Sequence, residues 1–308
     1  MNLKGKTILV TGGAGFIGSA LCHKLYKESN IIALDHFSRG KESNLSGIKD
    51  EIEIIKADIC NIDTIREPIK RSDIIFHLAA LDDRLQCRLD FNRTYNINVN
   101  GTLNILSCID NIEKFIYASS VMVYGETLYL PIDELHPLNG LDSYASSKII
   151  SEQLTRSFNY LYNLPYTIVR ISNTYGIRQD TTALIPTLIL QGLKENKIIL
   201  NNSKVLRDLL YIDDCVNGLI EIAKRDSTYG ETINLGTGIG TTTSEVADIL
   251  CEKLGIEYSN LNKQLPISSR LVLNITKLKS LTKWKPTINI KEGLISTLNW
   301  IKEEYDNK

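Results

Sequence analysis

The chain has 308 residues, 43% of them hydrophobic, and its 35 Lys and Arg against 36 Asp and Glu leave a formal net charge of −1. That length can bury a large core, and so even a balance excludes the global field with which a basic protein holds nucleic acid. No run approaches the roughly 18 to 20 apolar residues needed to cross a bilayer, and no basic segment leading into an apolar stretch opens the sequence, so a cytoplasmic protein without membrane or nucleic-acid partners is expected.

The first predicted element is a strand at Thr7-Ile8-Leu9-Val10, a short run of β-formers. It leads into Gly12, Gly15 and Gly18, after which Phe16, Ile17, Ala20, Leu21 and Leu25 recur at helical spacing. Glycines at a strand-to-helix junction have separate tasks. One permits the sharp turn, one lets backbone N–H groups approach a pyrophosphate, and one lets the helix pack close to the strand. The helix N-terminus then meets the anion with free N–H groups and the positive end of its dipole. The second strand, in IIALDHFSRG, ends at Asp35, 17 positions after Gly18. A carboxylate there accepts hydrogen bonds from an adenosine ribose diol and repels a 2′-phosphate; the plainer reading is a turn or cap residue.

Further strands are predicted over 51–58, 73–80, 114–120 and 166–172, and helices over 98–110 and 143–163. Such alternation makes a Rossmann-type, doubly wound α/β fold: a parallel sheet with helices on both faces and ligands at the carboxyl ends of the strands. After about residue 175 the pattern loosens, with no low-complexity linker and no internal repeat. A dinucleotide-binding domain over 1–175, to which parts of the later chain return, and a smaller interleaved substrate lobe over 176–308 are expected. The six cysteines, from Cys22 to Cys251, form no CxxC pair, which predicts reduced packing residues and no metal site.

Two places carry chemistry. Tyr144 and Lys148 lie four apart on a predicted helix, so phenol and ammonium can address one small volume. The ammonium is expected to lower the phenol from its ordinary value near 10 and make it a base. Ser119 and Ser120 close the strand KFIYASS, where a hydroxyl can meet a substrate oxygen. Taken alone, the first pair fits a solvated helix face at least as well, and serines end many strands.

Gly12-x-x-Gly15-x-x-Gly18, Asp35, HLAA at 77–80, NVNGTLN at 98–104, ASSVMVYG at 118–125, Tyr144-x-x-x-Lys148, SNTYG at 172–176 and RDLLYIDD at 207–214 occur in order along nearly the whole chain. Together they resemble the extended short-chain dehydrogenases/reductases, nearest the NAD-dependent nucleotide-sugar epimerases and dehydratases of the UDP-glucose 4-epimerase-like branch. The resemblance implies NAD, with Gly12, Gly15, Phe16, Ile17 and Gly18 at its pyrophosphate and Asp35 at the adenosine ribose. It places Asp58 and Ile59 at the adenine, Ala79 and Ala80 along the cofactor, and Asn98 nearby. Tyr144 and Lys148 would be catalytic and hold the nicotinamide ribose, and Ser120 would bind the sugar oxygen being oxidised. Asn173, Arg207 and Arg270 fall where the family contacts the nucleotide diphosphate of a substrate that this resemblance implies is UDP-linked. A homodimer is implied on the helices near 98–110 and 143–163, where Ile149, Ile150, Leu154, Phe158 and Leu161 offer apolar surface.

Departures bear on the reaction. The family's 4,6-dehydratases carry an acid before VYG to move the sugar C5 proton, and here Met122 stands in that stretch. A 4-epimerase needs no such acid. Asn201-Asn202-Ser203 replaces a Gly-Asp-Gly turn, Gln264 replaces an arginine, and LDDRLQCRLD at 81–90 lacks the usual pattern. Asp82, Asp83 and Arg84 therefore either meet an unusual sugar or form a solvated loop. The expected activity is NAD-dependent 4-epimerisation through a transient 4-keto sugar. The alternatives are a 4-ketoreductase of deoxysugars, a 4,6-dehydratase with a displaced acid and, less favoured, a non-catalytic dinucleotide-binding protein.

Overall fold

A computed structural model of the chain describes residues 1–265 and 269–306. The first half runs β1 (Thr7–Thr11), α1 (Phe16–Leu25), β2 (Asn30–Asp35), β3 (Glu53–Lys56), α2 (Ile62–Lys70), β4 (Ile74–His77), α3 (Arg84–Leu89), α4 (Phe91–Tyr95), α5 (Gly101–Ser107), β5 (Lys114–Ser120) and α6 (Ser143–Tyr162). There follow β6 (Tyr166–Ile171), β7 (Asn173–Tyr175), α7 (Leu184–Glu195), β8 (Lys197–Leu200), β9 (Leu206–Tyr211), α8 (Ile212–Ala223), β10 (Glu231–Leu235), β11 (Gly240–Thr242), α9 (Thr243–Leu254), β12 (Glu257–Asn260), β13 (Arg270–Leu271), α10 (Thr276–Thr282) and α11 (Ile290–Asp306).

Seven parallel strands form the main sheet in the order β10-β6-β5-β4-β1-β2-β3. Its central strands are apolar on both faces because helices cover both: Ile8, Leu9, Val10, Ile74, Ile75 and Phe76 are fully buried. One face packs with α1 and α8 through Leu21, Cys22 and Leu219, the other with α2 and α5 through Ile65, Ile69 and Ile105. From β1 the chain proceeds outward to β2 and β3 and then crosses back to β4 on the other side of β1. The crevice lies above that reversal, at the carboxyl ends of the strands.

The predicted strand 114–120 coincides with β5, and α6 matches its prediction to within one residue. Asp142 caps α6 by accepting from Ala145 N at 2.9 Å, and Asn163 ends it in a left-handed conformation. The strand predicted over 51–58 shortens to β3, Glu53–Lys56, and two further elements differ. The strand predicted to reach residue 80 stops at His77, because Leu78 and Ala79 turn to donate to the Thr11 carbonyl and hydroxyl. The helix predicted from 98 begins with a π turn over 96–100, and the freed Asn98 carbonyl accepts from Thr102 and Ser151 hydroxyls. After β6, a smaller sheet of β11, β9, β13 and β7 and the pair β12-β8 are built, while β10 returns to the main sheet beside β6.

Candidate active site

Loops after β1, β2, β4, β5, β6 and β7 enclose a cavity of about 1040 Å³, at the upper end of ordinary ligand pockets. Gly12, Gly15, Phe16, Ile17 and Gly18 line it. Gly12 turns the chain at φ +70, where a side chain would also press on the Ala79 backbone. A Cβ at Gly18 would overlap the Gly12 carbonyl oxygen, so helix α1 can approach the loop only with glycine there. Gly15 starts α1 with no side-chain cap, leaving the first N–H groups aimed at the cavity. This cradle fits a pyrophosphate.

Asp35, Asp58, Ile59, Ala79 and Ala80 continue the lining. The Asp35 carboxylate, 8% exposed, accepts from Ala14 N at 3.0 Å and Phe37 N at 2.7 Å, so it organises the glycine loop as well as facing the cavity. Asn98 is set back from the cavity lining. Its side chain accepts from Leu81 N at 2.7 Å and donates to Leu81 O at 3.1 Å and Ser147 Oγ at 2.9 Å. It ties the loop after β4 to α6 from behind.

Ser120, Met122, Tyr144 and Lys148 stand together in the cavity wall. Lys148 Nζ donates to Ala118 O at 2.8 Å and lies 5.9 Å from the centre of the Tyr144 ring. Burial lowers the Lys148 ammonium to about 8, against which the Asp82 and Glu152 carboxylates support its charge. The expected depression of Tyr144 by Lys148 is not what the protein's own groups produce. Burial raises the phenol above its ordinary value, the Asp82 carboxylate adds to this, and a hydrogen bond with Ser120 only partly opposes both.

Asn173 and Arg207 line the same cavity. Arg207 donates to the Leu206 and Ser269 carbonyls at 2.9 and 2.8 Å, and among the described residues no carboxylate lies within ion-pair distance. Burial lowers it to about 10, and the neighbouring Arg84 charge contributes. Arg270 is exposed on β13 and does not line this cavity. Asp83 caps α3 through Leu85 N and Gln86 N, whereas Arg84 pairs with Asp142 at 2.7 Å and Asp82 with Arg39 at 2.6 Å.

Two cavity residues escape sequence reasoning. Arg178 has φ +66, is partly desolvated and has no ion pair within 4 Å among the described residues, although the Asp213 charge acts on it. Gln179 leaves its buried Oε1 without a hydrogen-bond partner, as do Ser172 Oγ and Asn173 Oδ1. Polar atoms stranded in a cavity wall suit a polar ligand. Only their position after a strand end could have suggested them.

Comparison with known proteins agrees with this geometry. Residues 8–236 match the model of the NAD dependent epimerase/dehydratase family. The chain is 36% identical over 310 residues to a Methanocaldococcus jannaschii protein named "Putative UDP-glucose 4-epimerase", covering 96% of this chain and 98% of that one. It is 30% identical to human dTDP-D-glucose 4,6-dehydratase, over 98% of this chain and 91% of the relative. Among solved structures, UDP-glucuronic acid 4-epimerase from Bacillus cereus in complex with UDP-glucuronic acid and NAD superposes with a TM-score of 0.90 at 28% identity, covering 97% of this chain and 100% of that one. The chain thus belongs to the NAD-dependent epimerase/dehydratase family of nucleotide-sugar enzymes, and its cofactor is NAD.

Proposed function

We propose that this enzyme is a nucleotide-sugar 4-epimerase of the UDP-hexose type, an isomerase working through a transient 4-keto sugar, with Tyr144 as base. The observation that carries this reading is the wall around the catalytic pair: Met122 lines the same cavity as Ser120 and Tyr144 and has no proton to give. Epimerisation needs one base, a hydride acceptor and room for the keto sugar to turn over. NAD, when bound, accepts and returns the hydride, and its oxidised ring supplies a positive charge that favours the phenolate. Tyr144 takes the proton from the sugar O4, Ser120 holds that oxygen, and Lys148 keeps the phenolate paired. Arg207 and Asn173 hold the nucleotide diphosphate, for which a guanidinium fork is suited. The glycine loop, Asp35, Asp58, Ile59, Ala79 and Ala80 hold NAD.

A 4,6-dehydratase remains the second reading because Asp82 brings a carboxylate into the same wall, with its charge felt at both Tyr144 and Lys148. Its pairing with Arg39 argues against a role as the missing acid. Incubation with UDP-hexoses in deuterated water separates the two. Interconversion of C4 epimers with no deuterium at C5 is expected, and a 4-keto-6-deoxy product labelled at C5 would establish dehydration. A ketoreductase would instead consume added reduced cofactor. We further infer a cytoplasmic homodimer. Ile150 and Leu161 are 40% and 61% exposed on α6, whereas Ile149, Leu154 and Phe158 pack largely inward. Light scattering at about twice the 34.6 kDa chain mass is expected.

A further inference from the structure

Arg39 stands four residues after Asp35, on the loop that follows β2. Its neighbour Gly40 packs directly on the Asp35 carboxylate, where a Cβ would fall 2.7 Å from Oδ2. Arg39 therefore shares the cavity rim with the carboxylate assigned to the adenosine ribose. An arginine in such a place is the natural partner of a ribose 2′-phosphate, because its planar fork matches phosphate oxygens and its charge offsets the repulsion from Asp35.

In this protein the guanidinium is already engaged. Nη1 donates to Asp82 Oδ1 at 2.6 Å, and Nη2 lies 3.5 Å from Asp180 Oδ2. Asp82 comes from the loop after β4 and Asp180 from the loop after β7, and all three residues line the one cavity. Asp180 is itself held in place, accepting from Thr182 N at 2.8 Å and Thr182 Oγ1 at 2.6 Å. Two carboxylates thus face one arginine, 43 and 141 positions along the chain from it.

We propose that Asp82 and Asp180 are cofactor-specificity residues: by holding Arg39 they deny a 2′-phosphate its counter-charge and so support Asp35 in selecting NAD over NADP. Discrimination of this kind is a difference of two affinities, built here by occupying the group that would favour the wrong cofactor. The proposal rests on the placement of the adenosine ribose at Asp35.

The experiment is titration of NAD and NADP, at low salt, onto the wild type, the Asp82→Ala/Asp180→Asn double variant, the same double variant carrying Arg39→Met, and Asp35→Ser. Freeing Arg39 is expected to raise the NADP-to-NAD affinity ratio about ten-fold, and Arg39→Met is expected to abolish the gain. An unchanged ratio in the double variant, or a gain that survives Arg39→Met, overturns the proposal. Asp35→Ser separates the two assignments. If it raises the ratio while the double variant does not, the Arg39 mechanism alone fails; if it leaves the ratio unchanged, the ribose placement fails and the proposal with it.

Discussion

Ser119 donates its hydroxyl to Glu152 Oε1 at 2.6 Å, joining the strand residue just before Ser120 to the helix residue one turn beyond Lys148. Glu152 is fully buried and is also held by Arg170 through Nε at 2.9 Å and Nη2 at 2.7 Å. Arg170 in turn donates to the Tyr124 hydroxyl at 3.0 Å, which donates to Asn234 Oδ1 at 2.6 Å. Helix α6, which carries Tyr144 and Lys148, is therefore fastened to β5 and β6 by a satisfied polar network.

Breaking this network from its two ends has unequal costs. Ser119→Ala removes one donor while the ion pair persists, and should cost about 1 kcal/mol in urea denaturation. Arg170→Met removes the buried partner of this carboxylate and leaves it the Ser119 hydroxyl and the more exposed Arg156 at 2.9 Å, and should cost about 3 kcal/mol. The Arg170 and Ser119 contacts hold Glu152 below the ordinary carboxylate range, so its contribution is present above about pH 4.5 and is lost as pH falls through the lower folded value. Equal costs for the two substitutions would refute the ranking.

Tyr144→Phe removes the proposed base and should lower turnover by about 10² to 10⁴-fold with NAD binding and fold retained. Ser120→Ala removes a hydrogen bond but no proton acceptor, and its loss should be smaller. Steady-state rates alongside an NAD titration test both. Retention of near wild-type turnover by Tyr144→Phe would remove it from the mechanism.

Lys114 predicts a pH dependence far from the cavity. It is fully enclosed at the start of β5, donates to Thr228 Oγ1 at 2.8 Å and lies 3.7 Å from the centre of the Tyr229 ring. Burial lowers its ammonium to about 7. Between that value and its ordinary one near 10.5, the unfolded chain binds a proton that the folded chain does not, so this residue's contribution to stability rises with pH across the window. The unfolding free energy of wild type relative to Lys114→Met should move in favour of wild type from pH 7 to pH 10. Parallel curves would contradict the assignment.

Gly18→Ala and Gly5→Ala contrast packing with backbone strain. Gly5, at φ +76, has open space around its Cβ position, so alanine should cost only about 1 kcal/mol of left-handed strain. At Gly18 the obstacle is the backbone carbonyl of Gly12, which cannot rotate away as a side chain would. Alanine there should cost several times more and weaken NAD binding, as read by thermal melts with and without NAD.

Much of this protein is legible in its sequence because the signals are short-range. The strand at 114–120, the helix bearing Tyr144 and Lys148 and the turn through Gly12, Gly15 and Gly18 follow from periodicity, caps and backbone permissiveness within a few residues. The parallel sheet follows from the alternation of such elements, and the cradle from what glycine alone permits. The Asn98 side chain bonds Leu81 and Ser147 and Arg270 lies exposed on β13, positions that depend on which elements pack together. The state of Tyr144 likewise depends on enclosure, because burial raises its phenol and the Asp82 carboxylate, distant in sequence, adds to this. The engagement of Arg39 by Asp82 and Asp180 appears only once strand order brings three loops to one rim, for a salt bridge is decided by distance in space and not by distance along the chain.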